Sequence, residues 1–576
     1  MKIIGINYLH SDSSCSIIID NKIVAAVEEE RFVRKKHYSA FPYNSLEFCL
    51  KYAGISISDV DYFCFNFNKT YNFAEKIKFL AKYPALLKIS KSRMEKEKHT
   101  IQILSKLNIP SNKIKFIPHH KAHMASTYFN SGFEEAITFS FDGTGDFSTI
   151  EIFKCEGNKA KLLEKINFPN SLGLFYQMIT QYLGFKKYGD EYKVMSLASY
   201  GSKTLVKQLL EIFKIDKENR FRINNKYLNY IKCFNFNPFD EVIEFQDFYT
   251  EQFEKLIGFP PRKENEKLND NHKDLACSAQ FVFSLIAVNL IKKYEKLSNN
   301  LCLTGGCAFN SVFCQELKKN TRFENIYVMP NSGDAGGGLG AAQYLNSKLN
   351  KNFSKQLLTT AYLGPDYDQE YLENFFNNEK TKEIIKKNKI KIQKLNFQTI
   401  KKIAAEKLFL GDIVFWFRGR SEFGPRALGN RSILASPIRK NIQEKLNLEI
   451  KEREKFRPFA PSVLDEYKDK YFYTHKDMMN FMNFVVDSKD GVKNTIPSAI
   501  HINNTARAQI VSRSNNKDFY ELIEEFGKLS NEFVVLNTSL NIQEPICNSP
   551  ENVLNTFVRS KVIHLFIENN YLSKEI

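Results

Sequence analysis

The 576-residue chain contains no run of 18 consecutive apolar residues, so no segment predicts a membrane-spanning helix and no membrane partner is expected. The amino-terminal sequence MKIIGINYLHSD lacks a basic flank followed by an apolar stretch and a cleavage site, which argues against a signal peptide. The ten cysteines form no C-x-x-C pair, so a zinc ribbon is not expected. These absences predict a cytoplasmic protein with reduced thiols.

The length and charge of the chain allow several classes of protein. A chain of 576 residues exceeds what one hydrophobic core supports, and two or three domains are expected. The net charge of +17 is compatible with nucleic-acid binding, but the lysines are spread along the whole chain. The densest run, residues 82–100, is typical of a solvated amphipathic helix. An anionic substrate such as ATP would benefit from the same positive field, so charge alone does not choose between these partners.

Two segments share one plan of strand, polar loop, strand, tight turn and strand. Residues 1–32 read MKIIGINY, LHSDSS, CSIIID and KIVAAVEEERF, and residues 136–165 repeat the plan with AITFSFD, GTGDFS, TIEIFKC and LLEKI. A duplication of this kind indicates the actin/hexokinase-type ATPase fold, in which two polar loops present backbone N–H groups to phosphate. A helix near 268–298, the Gly-Gly turn in NLCLTGGCAFN and the Gly-rich turn in MPNSGDAGGGLGAAQYL fit that fold.

A polar stretch without periodicity at residues 346–360 marks a domain boundary. We expect a first domain over residues 1–350, a linker over 351–385 and a second domain over 386–576. The second domain alternates a helix at 398–410 with strands at DIVFWF and FVVLN, which is typical of an α/β or α+β unit.

Three of the ten histidines fall within PHHKAHMAS, residues 118–126. His119 and His123 are four residues apart, hence on one face of a helix that Pro118 is well placed to start. Two imidazoles at this spacing can chelate one divalent metal, although spacing alone favours an ordinary pair of surface or core histidines. The segment lacks the glutamate of H-E-x-x-H, which argues against a hydrolytic zinc site.

The segment DGTGD, residues 142–146, holds Asp142, Gly143, Gly145 and Asp146 after an apolar strand. It predicts either a phosphate or metal-nucleotide loop or an acidic hairpin turn, and the density of special residues favours the former.

Asp334 and His10 are two further candidates whose roles spacing does not settle. Asp334, in NSGDAGGGLG, either caps the following helix or completes a His-His-Asp metal site. His10 lies in the first polar loop, where an imidazole could act as general base beside a bound acyl donor. A loop histidine is otherwise structural or solvated.

The second domain is rich in basic residues between FRGRSEFGPRALGNRSILASP and KEREKFRPFAPSVL. They are interleaved with Gly, Pro and Phe rather than with Glu at helical spacing, so a solvated helix face is disfavoured. Guanidinium groups bind phosphate bidentately, which predicts a pocket for a small phosphorylated substrate, with a nucleic-acid groove as the alternative. The residues concerned are Arg418, Arg420, Arg426, Arg431, Lys451, Arg453 and Arg457, followed later by Arg507, Thr538 and Ser539, which can hydrogen-bond phosphate or ribose.

Taken together, these motifs resemble the O-carbamoyltransferases of nodulation-factor and aminoglycoside (tobramycin-type) biosynthesis. The matching segments include PHHKAHMASTYF, DGTGD, GDEYKVMSLASYG, LTGGCAFN, NSGDAGGGLGAA, GPRALGNRSILASP and FRPFAPSVL, in family order from about residue 1 to 548. The resemblance implies an α/β protein in which a duplicated actin/hexokinase-type (Kae1-like) domain, similar to the ATPase of tRNA threonylcarbamoylation, precedes an α/β YrdC-like domain.

The resemblance also implies a reaction. The YrdC-like domain would make carbamoyladenylate from carbamoyl phosphate and ATP, with Mg²⁺ accompanying ATP. The Kae1-like domain would pass the carbamoyl group to a hydroxyl or amine of a small-molecule or sugar acceptor, with His10 as base. His119, His123 and Asp334 would hold a divalent metal, Fe²⁺ in this family. The adenylate and acceptor site would be lined by Lys36, Asp142, Gly143, Gly145, Asp146, Gly306 and Asn310, and carbamoyl phosphate and nucleotide would be held by Arg426, Lys451, Arg457, Arg507, Thr538 and Ser539.

Few positions depart from the family pattern. Ser196 and Ser199 in VMSLASYG replace an expected Gly and Pro, and Leu540 in LNTSLN replaces a Phe. The long insertion at 204–265 is where acceptor specificity is expected.

The sequence leaves two alternative functions open. One is a tRNA-modifying threonylcarbamoyl-type transferase, because relatives of both domains act on tRNA and the chain is basic. The other is a non-catalytic nucleotide-binding module. Fusion of the two domains with FRPFAPSVL disfavours the first, and the His-His-Asp set with the basic second domain disfavours the second.

Overall fold

The chain folds into two units in the computed structural model, Met1–Leu358 and Thr359–Ile576. The structure describes residues 1–86, 95–234, 236–475 and 479–575. The stretch expected to be a linker, residues 351–385, divides between the units. The backbone N–H of Leu358 donates to the carbonyl of Asn130 at 3.0 Å in the first unit, whereas Leu372 and Phe375 lie in the hydrophobic core of the second. Apolar side chains on one helix face account for this difference from the predicted boundary.

The first sheet of the first unit has the strand order β3-β2-β1-β4-β5. Strands β1, β2 and β3 are antiparallel neighbours, and β4 and β5 continue the sheet parallel to β1. The tight turn predicted between β2 and β3 is formed by Asp20 and Asn21, both with positive φ (45° and 74°), as a two-residue hairpin turn requires. The strands are β1 (Lys2–Asn7), β2 (Ser14–Ile19), β3 (Lys22–Glu28), β4 (Tyr62–Phe65) and β5 (Ile114–Phe116).

The second sheet repeats the plan of the first, in the order β8-β7-β6-β11-β12. Strands β6, β7 and β8 are antiparallel neighbours, and β11 and β12 extend the sheet parallel to β6. The predicted duplication, and with it the predicted fold class, is confirmed. The strands are β6 (Glu135–Gly145), β7 (Ser148–Glu156), β8 (Lys159–Asn167), β11 (Asn300–Thr304) and β12 (Asn325–Val328), with a separate hairpin of β9 (Phe213–Ile215) and β10 (Phe221–Ile223).

Helices surround and separate the two sheets of the first unit. They are α1 (Glu30–Val33), α2 (Tyr43–Tyr52), α3 (Phe73–Lys82), α4 (Lys96–Lys106), α5 (His119–Tyr128), α6 (Leu172–Tyr182), α7 (Glu191–Leu197), α8 (Val206–Leu210), α9 (Glu251–Ile257), α10 (Asp270–Lys292), α11 (Ser311–Asn320) and α12 (Asp334–Leu349). Within the basic run predicted as one amphipathic helix, α3 ends at Lys82, α4 begins at Lys96, and residues 87–94 lie outside the described residues.

Helix α10 is the one segment among the described residues that is long and apolar enough to cross a membrane. Its 23 residues confirm the helix predicted near 268–298. Of its most apolar window, 72% is buried inside the unit, as expected for a core helix.

The second unit is built on one eight-stranded sheet of order β13-β22-β21-β14-β15-β20-β16-β19. Its strands are β13 (Ile390–Lys394), β14 (Val414–Phe417), β15 (Arg431–Ala435), β16 (Ala460–Leu464), β19 (Gln509–Val511), β20 (Val534–Ser539), β21 (His564–Ile567) and β22 (Asn570–Lys574), beside a small pair of β17 (Val486–Asp487) and β18 (Thr505–Ala506). Its helices are α13 (Gln369–Asn377), α14 (Glu379–Lys387), α15 (Phe397–Leu410), α16 (Ile442–Lys445), α17 (Lys468–Tyr471), α18 (Val492–Thr495), α19 (Lys517–Ser530) and α20 (Pro550–Arg559).

Hydrophobic clusters cover both faces of this sheet. On one face, Val414, Trp416 and Val535 belong to a cluster with side chains of α15 and α19. On the other, Phe415 and Ile433 belong to a cluster with side chains of α13 and α20. Alternation of side chains along β14 sends its residues into the two clusters in turn. A sheet buried on both faces between helices is an α/β arrangement, as predicted.

Candidate active site

Helix α5 carries two histidines whose rings meet. Pro118 precedes the helix, and His119 and His123 project from one face, as their spacing predicts. Both side chains are fully buried, and their Nε2 atoms lie 3.0 Å apart. Two imidazole nitrogens this close either share one proton, with one ring as the donor, or direct both lone pairs at a bound cation. Carboxylates nearby would favour either arrangement.

Asp334 supplies one such neighbour. It is the first residue of α12, but the N-cap position of that helix belongs to Gly333. Instead its Oδ1 lies 3.4 Å from the Nε2 of His119 and 3.4 Å from the Nε2 of His123. Of the two roles that the sequence left open for Asp334, the geometry fits the ligand rather than the helix cap.

Asp142 joins the same cluster, which the sequence did not predict. Its Oδ2 lies 3.3 Å from the Nε2 of His119 and 3.1 Å from that of His123. The four donor atoms all lie within 4.8 Å of one another. Two imidazoles and two carboxylates form a mixed N/O donor set that suits a divalent transition metal such as iron. The residues present therefore fit a metal centre.

Burial and mutual contacts set the charge states within this cluster. Burial lowers the pKa of His123, but hydrogen bonds to Asp142 and Asp334 outweigh it and raise that pKa to about 9. Burial raises the pKa of Asp142, but the two histidines hold it well below its ordinary value. Burial and the charge of Asp142 raise the pKa of Asp334. The carboxylates thus balance a positive charge placed between the imidazoles.

The segment 142–146, at the end of β6, packs against the imidazole ring of His119. A Cβ added to Gly145 would lie 1.9 Å from Cδ2 of His119, so no larger residue fits there, whereas one added to Gly143 would meet nothing within 4 Å. The Asp146 carboxylate accepts the backbone N–H of His119 at 2.9 Å and that of Asn68 at 2.9 Å. Asp146 therefore caps the start of α5, a role that the sequence did not suggest.

The Gly-Gly turn approaches the same cluster from β11. Gly305 has a φ of +91°, and a Cβ there would lie 2.1 Å from the carbonyl oxygen of Phe141. A Cβ on Gly306 would lie 3.2 Å from Oδ1 of Asp142. Asn310 caps α11 through its Oδ1, which accepts the backbone N–H of Phe313 at 3.0 Å, and its amide pairs with the side chain of Gln280. The turn is thus beside Asp142, and Asn310 holds the scaffold.

His10 lies beside the cluster, on the β1–β2 loop. Its ring centre is 5.3 Å from that of His119 and 6.1 Å from that of Phe67. The residue is half-buried. Lys36, in contrast, is exposed, and its charge acts on the neighbouring His37.

In the second unit, Lys451 is occupied by the protein itself. Its Nζ donates to the backbone carbonyls of Ser539 (2.8 Å) and Asn541 (2.7 Å) and to Oδ1 of Asn541 (2.6 Å). The buried ammonium group therefore fixes the end of β20, where Thr538 and Ser539 lie half-buried. The Lys451 ammonium group thus holds the backbone that carries these two hydroxyls, and not all of its N–H donors are left for a phosphate.

Four arginines of the second unit gather at one place. Burial, followed by the charges of Arg426, Arg453 and Arg457, holds the pKa of Arg507 well below its ordinary value. Like charges at short range repel, so an anion among these side chains would relieve the repulsion. All four are among the basic residues that the sequence predicts to bind phosphate, and three of them, Arg426, Arg457 and Arg507, are also implied by the family resemblance.

Three other arginines of the same motifs donate to groups of the protein itself. Arg431 is fully buried and donates to the carbonyls of Arg418 (3.0 Å) and Pro365 (3.0 Å). Arg418 donates to Asp518 at 2.6 Å, and Arg420 donates to the carbonyl of Gly364 at 3.0 Å. These guanidinium groups donate to acceptors that are distant in sequence. The spacing of the motif alone could therefore not reveal these contacts.

The loop that carries Arg426 is held by Glu422, which sequence reasoning missed. This carboxylate is 1% exposed, and its Oε1 accepts three backbone N–H groups, from Leu428 (2.7 Å), Asn430 (2.9 Å) and Arg431 (3.2 Å). A buried charge with three donors is a strong anchor. The GPRALGNR segment is therefore rigid before any ligand arrives.

Two family models match this chain in the order of its two units. The one described as Carbamoyltransferase N-terminus matches residues 2–343, and the one described as Carbamoyltransferase C-terminus matches residues 405–574. The chain belongs to the carbamoyltransferase family. As a carbamoyltransferase it is an enzyme that moves a carbamoyl group from a donor to an acceptor.

Relatives of this carbamoyltransferase extend over nearly its whole length. Nodulation protein NolNO of Sinorhizobium fredii is 32% identical and covers 99% of this chain and 79% of its own. Nodulation protein NolO of Bradyrhizobium diazoefficiens is 32% identical, with 78% and 77% covered. The protein sll1178 of Synechocystis is 33% identical, with 99% and 96% covered. The predicted resemblance to nodulation-factor carbamoyltransferases is confirmed.

Among solved structures, HypF of T. kodakarensis is 13% identical and covers 62% of this chain and 48% of its own. Its TM-score of 0.30 is too low to support an inference about this carbamoyltransferase.

The three residues that depart from the family pattern are accommodated by the fold of this carbamoyltransferase. Ser196 lies in α7 and its hydroxyl donates to the carbonyl of Tyr192 at 2.9 Å, while Ser199 lies in a short 3-10 turn. Leu540 is fully buried in the core of the second unit, and its backbone N–H donates to the carbonyl of Arg431 at 2.9 Å. An apolar side chain therefore serves where the family pattern has Phe.

Proposed function

We propose that this carbamoyltransferase joins carbamoyl phosphate and ATP into carbamoyladenylate in its second unit and transfers the carbamoyl group in its first unit. The acceptor is a hydroxyl or amine of a small molecule or sugar. The observation that carries the proposal is the chemical difference between the two sites. One gathers four arginines around Arg507, and the other gathers two histidines and two carboxylates.

The basic site suits the activation step. Carbamoyl phosphate and the ATP phosphates are anions, and guanidinium groups bind them bidentately. In a balanced activation, water attacks carbamoyl phosphate to give carbamate and phosphate, and a carbamate oxygen then attacks the α-phosphorus of ATP and displaces pyrophosphate, so both leaving groups are anions. Arg426, Arg457 and Arg507 would hold these groups, with Ser539 and Thr538 hydrogen-bonding to phosphate or ribose.

The histidine–carboxylate site suits the transfer step. The acceptor oxygen or nitrogen attacks the carbamoyl carbon, the bond from that carbon to the AMP oxygen breaks, and AMP leaves. His10, half-buried beside His119, would take the proton that the acceptor loses. The backbone around Gly143 and Gly306 would lie against the nucleotide, since these turns leave room for a close approach.

His119, His123, Asp142 and Asp334 would hold a divalent metal, with iron as the expected ion. Bound there, the cation would neutralise the negative charge of the departing phosphate. Asp142 is thereby assigned as a fourth ligand, in addition to lining the adenylate site.

Carbamoyl-phosphate-dependent exchange of labelled pyrophosphate into ATP, without any acceptor, tests the proposal. The wild-type enzyme should show exchange, and Arg457→Ala should lose it because an anion contact is removed. Arg513→Ala is the matched control, since Arg513 is 53% exposed and pairs with Glu521 and Glu524. Its exchange should equal that of the wild type.

The division of labour between the units is tested by His10→Ala. This variant should retain exchange, because adenylate formation is assigned to the second unit. Absence of exchange in the wild type supplied with iron, Mg²⁺, ATP and carbamoyl phosphate would overturn the proposal. Equal loss of exchange in His10→Ala and Arg457→Ala would overturn the assignment of His10 to transfer.

A further inference from the structure

The loop that presents His10 contains strained backbone. Leu9 and Asp12, on either side of His10, both have left-handed φ values, 59° and 64°. Non-glycine residues are strained in this region, and such strain persists only where surrounding contacts impose it. The contacts that impose it identify what positions His10.

One set of contacts ties the loop to the segment 37–40. The backbone N–H of Leu9 donates to the carbonyl of Ser39 at 2.8 Å, and that of Ser13 donates to the carbonyl of Tyr38 at 2.7 Å. The hydroxyl of Ser13 donates to the carbonyl of Ala40 at 2.7 Å. Both ends of the loop are therefore hydrogen-bonded to one neighbouring segment of the chain.

The side chains of that stretch complete the attachment. Nδ1 of His37 lies 2.7 Å from Oδ1 of Asp12, and the backbone N–H of His37 donates to Oε2 of Glu30 at 3.0 Å. His37 itself has a left-handed φ of 55°. The donor atoms of Asp12, Glu30 and His37 are close enough for a cation, but the 2.7 Å contact shows that Asp12 and His37 already satisfy each other.

The far side of the His37 ring is closed by the loop before α7. A Cβ on Gly189 would lie 2.6 Å from Nε2 of His37, and the ring of Tyr188 meets the imidazole edge-on with centres 5.0 Å apart. The charged and titratable groups facing His37 are Asp12, Glu30, Lys36, Tyr188 and Glu191. The carboxylates outweigh the single lysine, which favours the imidazolium form.

The late part of the insertion lies on the same segment. Tyr38 pairs with Val242 in an isolated bridge, and the backbone N–H of Ser39 donates to the carbonyl of Glu241 at 2.8 Å. Phe245 stacks on Tyr188 with ring centres 5.7 Å apart. The residues where acceptor specificity was expected are thus connected to the His10 loop through His37 and its neighbours.

We propose that the Asp12–His37 ion pair is a clamp that positions His10, and that His37 is a positioning residue for the transfer step. The proposal rests on the proposed function, in which His10 acts on the acceptor. The imidazolium holds Asp12 in its left-handed conformation, and this fixes the loop so that the ring of His10 faces His119. The same clamp connects the insertion at 204–265 to His10, the proposed base.

A double-mutant cycle on His10 reactivity tests the clamp. The probe is diethyl pyrocarbonate, which modifies accessible neutral imidazoles, and modification of His10 is followed by peptide mass spectrometry. His37→Asn and Asp12→Asn each remove one charge with a residue that tolerates positive φ. Each should raise the rate of His10 modification by roughly tenfold, a typical coupling within one ion-pair network. The double variant should equal either single variant.

Hydrogen exchange of the backbone N–H groups of Leu9 and Ser13 provides a second readout. Exchange at both positions should accelerate in the same three variants, because the loop loses its clamp. His564→Asn is the matched control, since Nε2 of His564 lies 3.3 Å from Oδ2 of Asp412 in the second unit. It should leave both readouts at the wild-type level.

Additive effects of the two single variants, or unchanged His10 modification in both, would overturn the clamp. A general folding defect is recognised by equal acceleration of exchange in the second unit, and it too counts against the proposal. These readouts do not require carbamoyl chemistry. Failure of the clamp is therefore distinguishable from failure of pyrophosphate exchange, which tests the proposed function.

Discussion

The Nε2 atoms of His119 and His123 face each other across 3.0 Å, and a carboxylate oxygen of Asp142 lies 3.3 Å from the first and 3.1 Å from the second. Two imidazole nitrogens and a carboxylate oxygen that converge on one point favour a cation there. The geometry places that point at the start of α5, next to His10.

Binding of Fe²⁺ by the purified enzyme should depend on all four donors. His123→Ala should abolish binding, and Asp142→Asn should weaken it by at least ~10-fold, because a charged oxygen donor is lost. Anaerobic calorimetry and metal analysis after gel filtration measure this. His120→Asn is the control, because Nδ1 of His120 lies 2.7 Å from Oγ of Ser140 and its ring is not among the four donors. Equal affinity in Asp142→Asn and the wild type would remove Asp142 from the ligand set.

Gly143 and Gly145, two residues apart at the end of β6, should differ sharply in their tolerance of a larger side chain. Gly145→Ala should displace His119 and lose the metal, because its Cβ would lie 1.9 Å from the imidazole. Gly143→Ala should bind metal as the wild type does, because its Cβ would meet nothing within 4 Å. Metal content per chain distinguishes the two variants. Retention of metal by Gly145→Ala would contradict the ring position described here.

Removal of the Glu422 carboxylate should loosen the loop of Arg426. Glu422→Leu leaves three buried backbone N–H groups without an acceptor, and we expect a loss of at least ~3 kcal/mol in the free energy of unfolding of the second unit. Urea titration monitored by hydrogen exchange in residues 420–435 measures it. Glu422→Gln keeps one oxygen and should recover much of the loss. Glu444→Gln, at an exposed ion pair with Lys455, should change nothing.

The Asp12–His37 pair should stabilise the first unit in a pH-dependent way. Burial lowers the pKa of His37, but Asp12 outweighs it and raises that pKa from 6.5 to about 9. The stability is therefore fully present below about pH 6.5 and is lost as pH rises through about 9. Since the two side chains are 30% and 31% exposed, solvent screens the pair, and its contribution is on the order of 1–2 kcal/mol.

Thermal unfolding of the wild type and of His37→Asn between about pH 6 and about pH 10 checks this. The difference between the two melting temperatures should be largest at the acid end, should shrink as pH rises above about 6.5 and should be lost by about pH 9. A difference that is constant over the whole range would show that the pair does not titrate as described.

Regular patterns in the sequence predicted the scaffold well. Alternating apolar residues around polar loops located β1 to β3 and β6 to β8, and the common strand order of the two sheets confirms the duplication. Histidines four residues apart after a proline located α5. These signals are local, because strand and helix periodicities are set by a few neighbouring residues.

Contacts between distant segments were beyond what spacing could predict. Asp142 reaches the histidines of α5 because β6 and α5 meet in space, although 19 residues separate Asp142 from His123. Arg431 resembles the other basic residues of its motif, yet it is buried against the carbonyl of Pro365, 66 residues away. The same limit hid the pairing of His37 with Asp12, 25 residues apart, which no periodicity marks.

The ligand set draws on separate halves of the duplicated unit. Asp142 lies near the end of β6 and Asp334 follows β12, both strands of the second sheet, whereas His119 and His123 lie on α5, which begins just after β5 of the first. A bound cation would therefore connect the two halves of the unit and stabilise the folded form that brings all four donors together.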